Sequence, residues 1–159
     1  MITGDQVLAH LVGDYFLQSD WMATTKKERV LPCFLHATLY VLPFLFLTRS
    51  WKVLVAIGVS HFLIDHWKLP SILAWLKNFL APRSTWVPWS QSNLGFQPDR
   101  PIWLVVWLVI ILDNTLHVAV NGFCLRWMWG LTMLKGPVND VELSEALIVE
   151  LIEVARTPV

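Results

Sequence analysis

The sequence predicts an all-α fold: a polytopic membrane bundle of about four transmembrane helices, with short amphipathic helices beside them. Composition is the first reason. Of 159 residues, 55% are apolar, ten are Trp and only 15% are charged, against about 25% charged in soluble domains. Mean hydropathy is +0.53. The second reason is a series of apolar segments of roughly span length. The third is where the polar residues fall inside them. His10 and Asp14, His61 and Asp65, and Asp113 and His117 are each spaced four apart within apolar surroundings, so each pair shares one helical face.

The first helix is expected from about Thr3 to Ala23. Thr3 followed by Gln6 suits a capping box. Val7, Leu8, Leu11, Val12, Tyr15 and Phe16 make a wide apolar surface, and His10, Asp14 and Gln18 form a narrow polar stripe. Such a helix spans, re-enters or lies in the interface. Lys26, Lys27, Glu28 and Arg29 form a charged loop. The second span is Leu31 to Leu47, interrupted by His36 and Pro43, and the third is Trp51 to Leu69. Pro70 is expected to break the third, with an amphipathic helix from Ser71 to Leu80. Residues 81–100 hold Pro82, Pro88, Pro98, Trp86 and Trp89, a polar loop with interfacial aromatics. Pro101 suits the first turn of a fourth helix that runs to about Trp129.

The membrane bundle is thus residues 1–130, followed at 131–159 by an acidic amphipathic tail. That tail suits packing on the bundle or on another copy of the chain, so a homo-oligomer is an expected partner. The N-terminus lacks a basic region before its apolar stretch, so no cleavable signal peptide is expected. Cys33 and Cys124 lie far apart in apolar runs and read as small core residues. With 12 basic and 12 acidic residues, no basic face points to nucleic acid. The loops at Lys26–Arg29 and 81–100 fall on the same side, which is the slightly more basic one and is expected to be cytoplasmic.

The chemistry rests on charge. Asp14, Asp65 and Asp113 would carry three negative charges into an apolar interior, at several kcal/mol for each uncompensated ion. No Lys or Arg lies inside the spans beside Asp14 or Asp113, and Lys68 alone lies near the His61 and Asp65 face. One or two divalent cations (Zn, Mn or Fe) are the economical counter-charge. The expected ligands are His10, Asp14, His36, His61, Asp65, Asp113 and His117, since imidazole and carboxylate are common ligands of such ions. Asp14, Asp65 and Asp113 are the candidate catalytic carboxylates. Gln18, Asn114, Asn121 and Lys68 are candidates for supporting the ligands or touching substrate. The plainer alternative is that the pairs hydrogen-bond across helices as structural glue. Walker, G-x-G-x-x-G, H-E-x-x-H and G-x-S-x-G motifs are absent.

The strings HLVGDYFLQSDWM (His10 to Met22), HFLIDHWKL (His61 to Leu69) and DNTLH (Asp113 to His117), with His36 between the first two, resemble a bacterial and phage membrane family known as domain of unknown function 3307. The likeness covers about the first 125 residues. It implies a small multi-helix membrane protein without an established activity, and the layout is broadly similar to membrane-bound metal-dependent hydrolases. The expected function is therefore a metal-dependent hydrolase of a lipid-linked or membrane-proximal ester in the bacterial inner membrane. A non-enzymatic phage or mobile-element interaction or exclusion factor, and a metal or proton transporter, are the alternatives.

Overall fold

The computed structural model describes the backbone of residues 2–134 and the side chains of residues 2–126. Among these residues every regular element is helical, and an isolated bridge between Asn93 and Phe96 is the strand-like exception. The tail expected at 131–159 lies outside the described residues from 135 onward.

Helix α1 covers Gly4–Leu11. Its cap forms as expected, with the Gln6 N–H donating to Thr3 Oγ1 at 3.3 Å. The Gln6 side chain does not complete the box; it donates instead to the Val118 carbonyl at 2.6 Å, tying α1 to the C-terminal helix. The helix expected from Thr3 to Ala23 is not continuous. It opens into one wide π-type turn at Val12–Phe16, closed by the Leu17 N–H on the Val12 carbonyl at 3.0 Å. The chain then leaves the helical path. A separate helix α2, Asp20–Thr25, starts where Ser19 Oγ accepts the Met22 N–H at 3.3 Å.

Helix α3, Val30–Val41, tightens into a 3₁₀ turn at Leu42–Phe46 that contains Pro43. Helix α4 covers Trp51–His66. It ends before Pro70, and two residues on the chain turns at Lys68, whose φ of 53° is left-handed. Pro70 then falls in the first turn of α5, Leu69–Leu76, where its missing N–H costs nothing. Residues 81–100 are pinned back onto α5. Trp75 Nε1 donates to the Val87 carbonyl at 2.9 Å. Gly95, at φ 90°, lies so near α5 that a Cβ would stand 2.2 Å from the Ser71 carbonyl oxygen. Helix α6 runs from Ile102 to Leu134, and α4 packs on both α3 and α6.

The expectation of about four spans is corrected here. Among the described residues one helix is long and apolar enough to cross a membrane, at Ile102–Arg126, and 17% of its most apolar stretch is buried. The reason is length. Helix α1 has 8 residues before its wide turn, α3 has 12 and α4 has 16, against about 20 for a span.

The burial pattern runs against that of a water-soluble bundle. A small apolar cluster of Ala9, Tyr40, Phe44, Val53, Ile57 and Cys124 fills one part of the interior. Beside it lies a large polar share: Gln6, His10, Asp14, Lys26, His36, His61, Asp65, His117 and Asn121 are buried, while Phe16, Phe46, Trp103, Trp107, Ile111 and Phe123 are exposed. Along α4 the inward stripe steps from Val53 and Ile57 to His61 and Asp65. Lys and Asp are almost never fully buried unless paired, so these polar groups call for partners.

Candidate metal centre

Each element delivers one or two groups to a single interior point. Asp14 comes from the wide turn after α1, His36 from α3, and His61 and Asp65 from adjacent turns of α4. The wide turn matters because it separates Asp14 from the path of His10; π-type turns often occur at functional sites. Gly13 makes the close approach possible. A Cβ there would meet Tyr40 Cδ2 at 2.7 Å and the Tyr40 carbonyl oxygen at 2.9 Å.

One ligand atom each of Asp14, His36, His61 and Asp65 lies within 4.8 Å of the others, and all four residues are buried. The separations are 2.8 Å for His61 Nε2 to His36 Nε2, 3.1 Å for His36 Nε2 to Asp14 Oδ1 and 3.2 Å for His61 Nε2 to Asp65 Oδ2. His36 Nε2 to Asp65 Oδ2 is 3.4 Å, and His61 Nε2 to Asp14 Oδ1 is 3.9 Å. A tetrahedral ion with ligands at about 2.0–2.1 Å sets ligand–ligand edges of about 3.3–3.4 Å. The cage therefore brackets the size a small divalent ion requires.

A second group shares Asp14. Ligand atoms of Asp14, Asp113 and His117 also lie within 4.8 Å of one another. His117 Nδ1 donates to the backbone carbonyl of Asp113 at 3.0 Å, which leaves a lone pair on its Nε2.

The residue that sequence reasoning missed is Lys26. Its Nζ reaches in from the turn between α2 and α3, with 8% of the side chain exposed. It stands 2.8 Å from Asp65 Oδ2, 3.3 Å from Asp14 Oδ1 and 3.0 Å from His36 Nε2. An ammonium has three N–H donors; one goes to Asp14 Oδ1 and one to His36 Nε2, while Asp65 Oδ2 is held by charge alone, as an ion pair. Burial by itself would lower its pKa, but the charges of Asp65 and Asp14 outweigh that and hold it above the ordinary lysine value. A compensating cation thus comes from the loop between α2 and α3, outside the expected spans. Nothing in the sequence sets Lys26 apart from Lys27.

The other expected residues fall in several places. His10 does not join the cage, because both of its ring nitrogens are engaged. Tyr40 Oη accepts from Asn121 Nδ2 at 2.6 Å and donates to His10 Nδ1 at 2.9 Å. His10 Nε2 then donates to Asn114 Oδ1 at 2.8 Å. This relay braces the Tyr40 ring, which stacks on His61 with centroids 3.5 Å apart. Asn114 and Asn121 thereby hold the groups that hold the cage. The Gln18 Oε1 is buried with no hydrogen-bond partner. Lys68 is exposed on its left-handed turn, outside the cage. Cys33 and Cys124 are buried free thiols.

An all-helical chain with buried imidazoles and carboxylates converging on one point is the class these observations define. Residues 2–125 match the model of the family described as protein of unknown function DUF3307, and the chain belongs to that family. No curated protein and no solved structure matches it.

Proposed function

We propose that this chain is a membrane-embedded, metal-dependent hydrolase of lipid-linked or membrane-proximal phosphoesters, working in the bacterial inner membrane. One observation carries the reading. Two imidazoles and two carboxylates from three separate segments form a buried cage of ion size, inside a molecule whose outer surface is largely apolar. A divalent Zn, Mn or Fe bound there would polarise a phosphoryl oxygen and supply hydroxide near neutral pH. The chain's own contribution is to hold the ligands. His61 is fixed by stacking on Tyr40, and Asp65 by its place one turn further along α4. Asp113, with 20% of its side chain exposed, is the carboxylate that reaches the outside and opens the site to a substrate. Lys26 and an ion in the cage draw on the same Asp14 and Asp65 oxygens, and two positive charges that close repel. An ion held by the cage would therefore displace the Lys26 ammonium from the Asp14 and Asp65 oxygens.

Lys26 also favours a second reading. Asp14, Asp65 and Lys26 make a partly balanced network without any metal, as in a non-enzymatic membrane interaction protein. Elemental analysis of the detergent-purified chain separates the two. The hydrolase reading expects bound Zn, Mn or Fe that is lost in His61→Ala, together with metal-dependent cleavage of a chromogenic phosphodiester. A chain that holds no metal, binds none on addition and cleaves nothing is the structural protein instead.

A further inference from the structure

We infer that a second divalent cation binds beside the first, held by Asp14, Asp113 and His117, so that Asp14 is shared between the two. This rests on the metal-dependent reading above. The geometry supporting it lies at the edge of the cage, where Asp65 meets His117. His117 and Asp65 are each 1% exposed. The Nε2 of His117 and the Oδ1 of Asp65 make no hydrogen bond, yet they face each other at 4.0 Å. Both atoms carry lone pairs, because the His117 proton is on Nδ1, donated to the Asp113 carbonyl. Two buried acceptors facing one another with no donor between them lose their hydration without compensation. A cation bound at His117 Nε2 would put a positive charge in front of Asp65 Oδ1 and offset the exposed lone pairs of both atoms.

Charge points the same way. Asp14, Asp65 and Asp113 carry three negative charges. One divalent ion in the cage, with Lys26 displaced, leaves a net negative charge in a buried interior, which a second cation reverses. The resulting small positive excess suits an anionic ligand, phosphate above all. Paired ions bridged by a carboxylate are a recurrent arrangement for phosphoester displacement, where they clamp the attacking and leaving oxygens. The donor sets differ between the two positions. The cage has two imidazoles, whereas the second position is richer in carboxylate and suits the harder Mn²⁺ or Mg²⁺.

Titration of the detergent-solubilised full chain with Mn²⁺, read by elemental analysis and electron paramagnetic resonance, tests this. The expected result is about two Mn equivalents per chain with an exchange-coupled signal, as for ions about 3.5–4 Å apart. Asp113→Asn and His117→Gln should each retain one equivalent and lose the coupled signal, with unchanged helical circular dichroism. Asp113 is partly exposed, so its variant tests the site even if His117→Gln unfolds. One equivalent in the wild type, unchanged by Asp113→Asn, overturns the second site and leaves the cage reading standing. No Mn bound at all removes the cage reading, and the second site with it.

Discussion

At the scale of single residues, Lys26 decides most about the unloaded molecule. Removing one partner of a buried ion pair strands the other, at about 3–5 kcal/mol. Lys26→Met strands two carboxylates, Asp14 and Asp65. The chelator-treated variant should therefore melt well below the wild type. Added Mn²⁺ should restore most of the difference, because the ion replaces the missing charge, and should bind the variant more tightly because its competitor is gone. Thermal melts with and without EDTA check both; an unaltered melt in EDTA means the Lys26 contacts carry no energy. The alkaline limit has a definite sign. The folded pKa of Lys26 lies above its unfolded value, so its stabilisation is whole at neutral pH and disappears only as pH rises through the raised value. The sequence made the acidic half of this network legible, because Asp65 and His61 are spaced for one face. It hid the basic half, because a lysine's neighbours across a fold leave no mark on its local pattern. His10 shows the converse. Its spacing from Asp14 is right for pairing, and the wide turn between them gives each a different partner.

At the scale of elements, the bundle helices α3, α4 and α6 were legible within a few residues, because long apolar runs with polar residues at helical spacing leave little choice. The unread element is the π-type turn. Its residues, Val12 to Phe16, carry the same stripe as the helix before them, and Gly13 is the one departure. That glycine is where Asp14 is aimed. A methyl there would collide with Tyr40, whose ring is held by Phe44 on one side and His61 on the other and is itself fully buried. Neither the ring nor its backbone can yield cheaply. Gly13→Ala should cost about 1–3 kcal/mol by overpacking, readable in a urea melt, and should weaken metal binding at least tenfold by moving Asp14. Gly58→Ala is the control, since its new methyl meets the Val41 Cγ2 tip at 3.0 Å and otherwise the Ala37 carbonyl oxygen at an ordinary 3.9 Å. Equal effects of the two on metal affinity would mean that the wide turn does not aim Asp14. The break shows locally only at Ser19, whose side chain caps α2.

At the scale of the whole molecule, the question is what surrounds it. Composition pointed to a membrane, and among the described residues one helix is long and apolar enough to cross, while a cluster of polar groups is buried and many large apolar side chains are exposed. If lipid covers α6, a charge placed on its outer face near mid-span is expensive, about 2.5–3.5 kcal/mol on insertion scales, and little at the ends. Ile111 is 58% exposed near the middle of Ile102–Arg126, and Ile102 is 60% exposed at its start. Equal exposure makes the two positions a matched pair in water and an unmatched pair in a bilayer. Ile111→Arg should therefore shift the chain out of the fraction that survives an alkaline carbonate wash, by about two orders of magnitude in the insertion equilibrium, while Ile102→Arg stays in it. In water both substitutions would be neutral or would improve solubility. A wild-type chain that dissolves without detergent, with both variants alike, would put α6 in water and leave its apolar face to another protein surface.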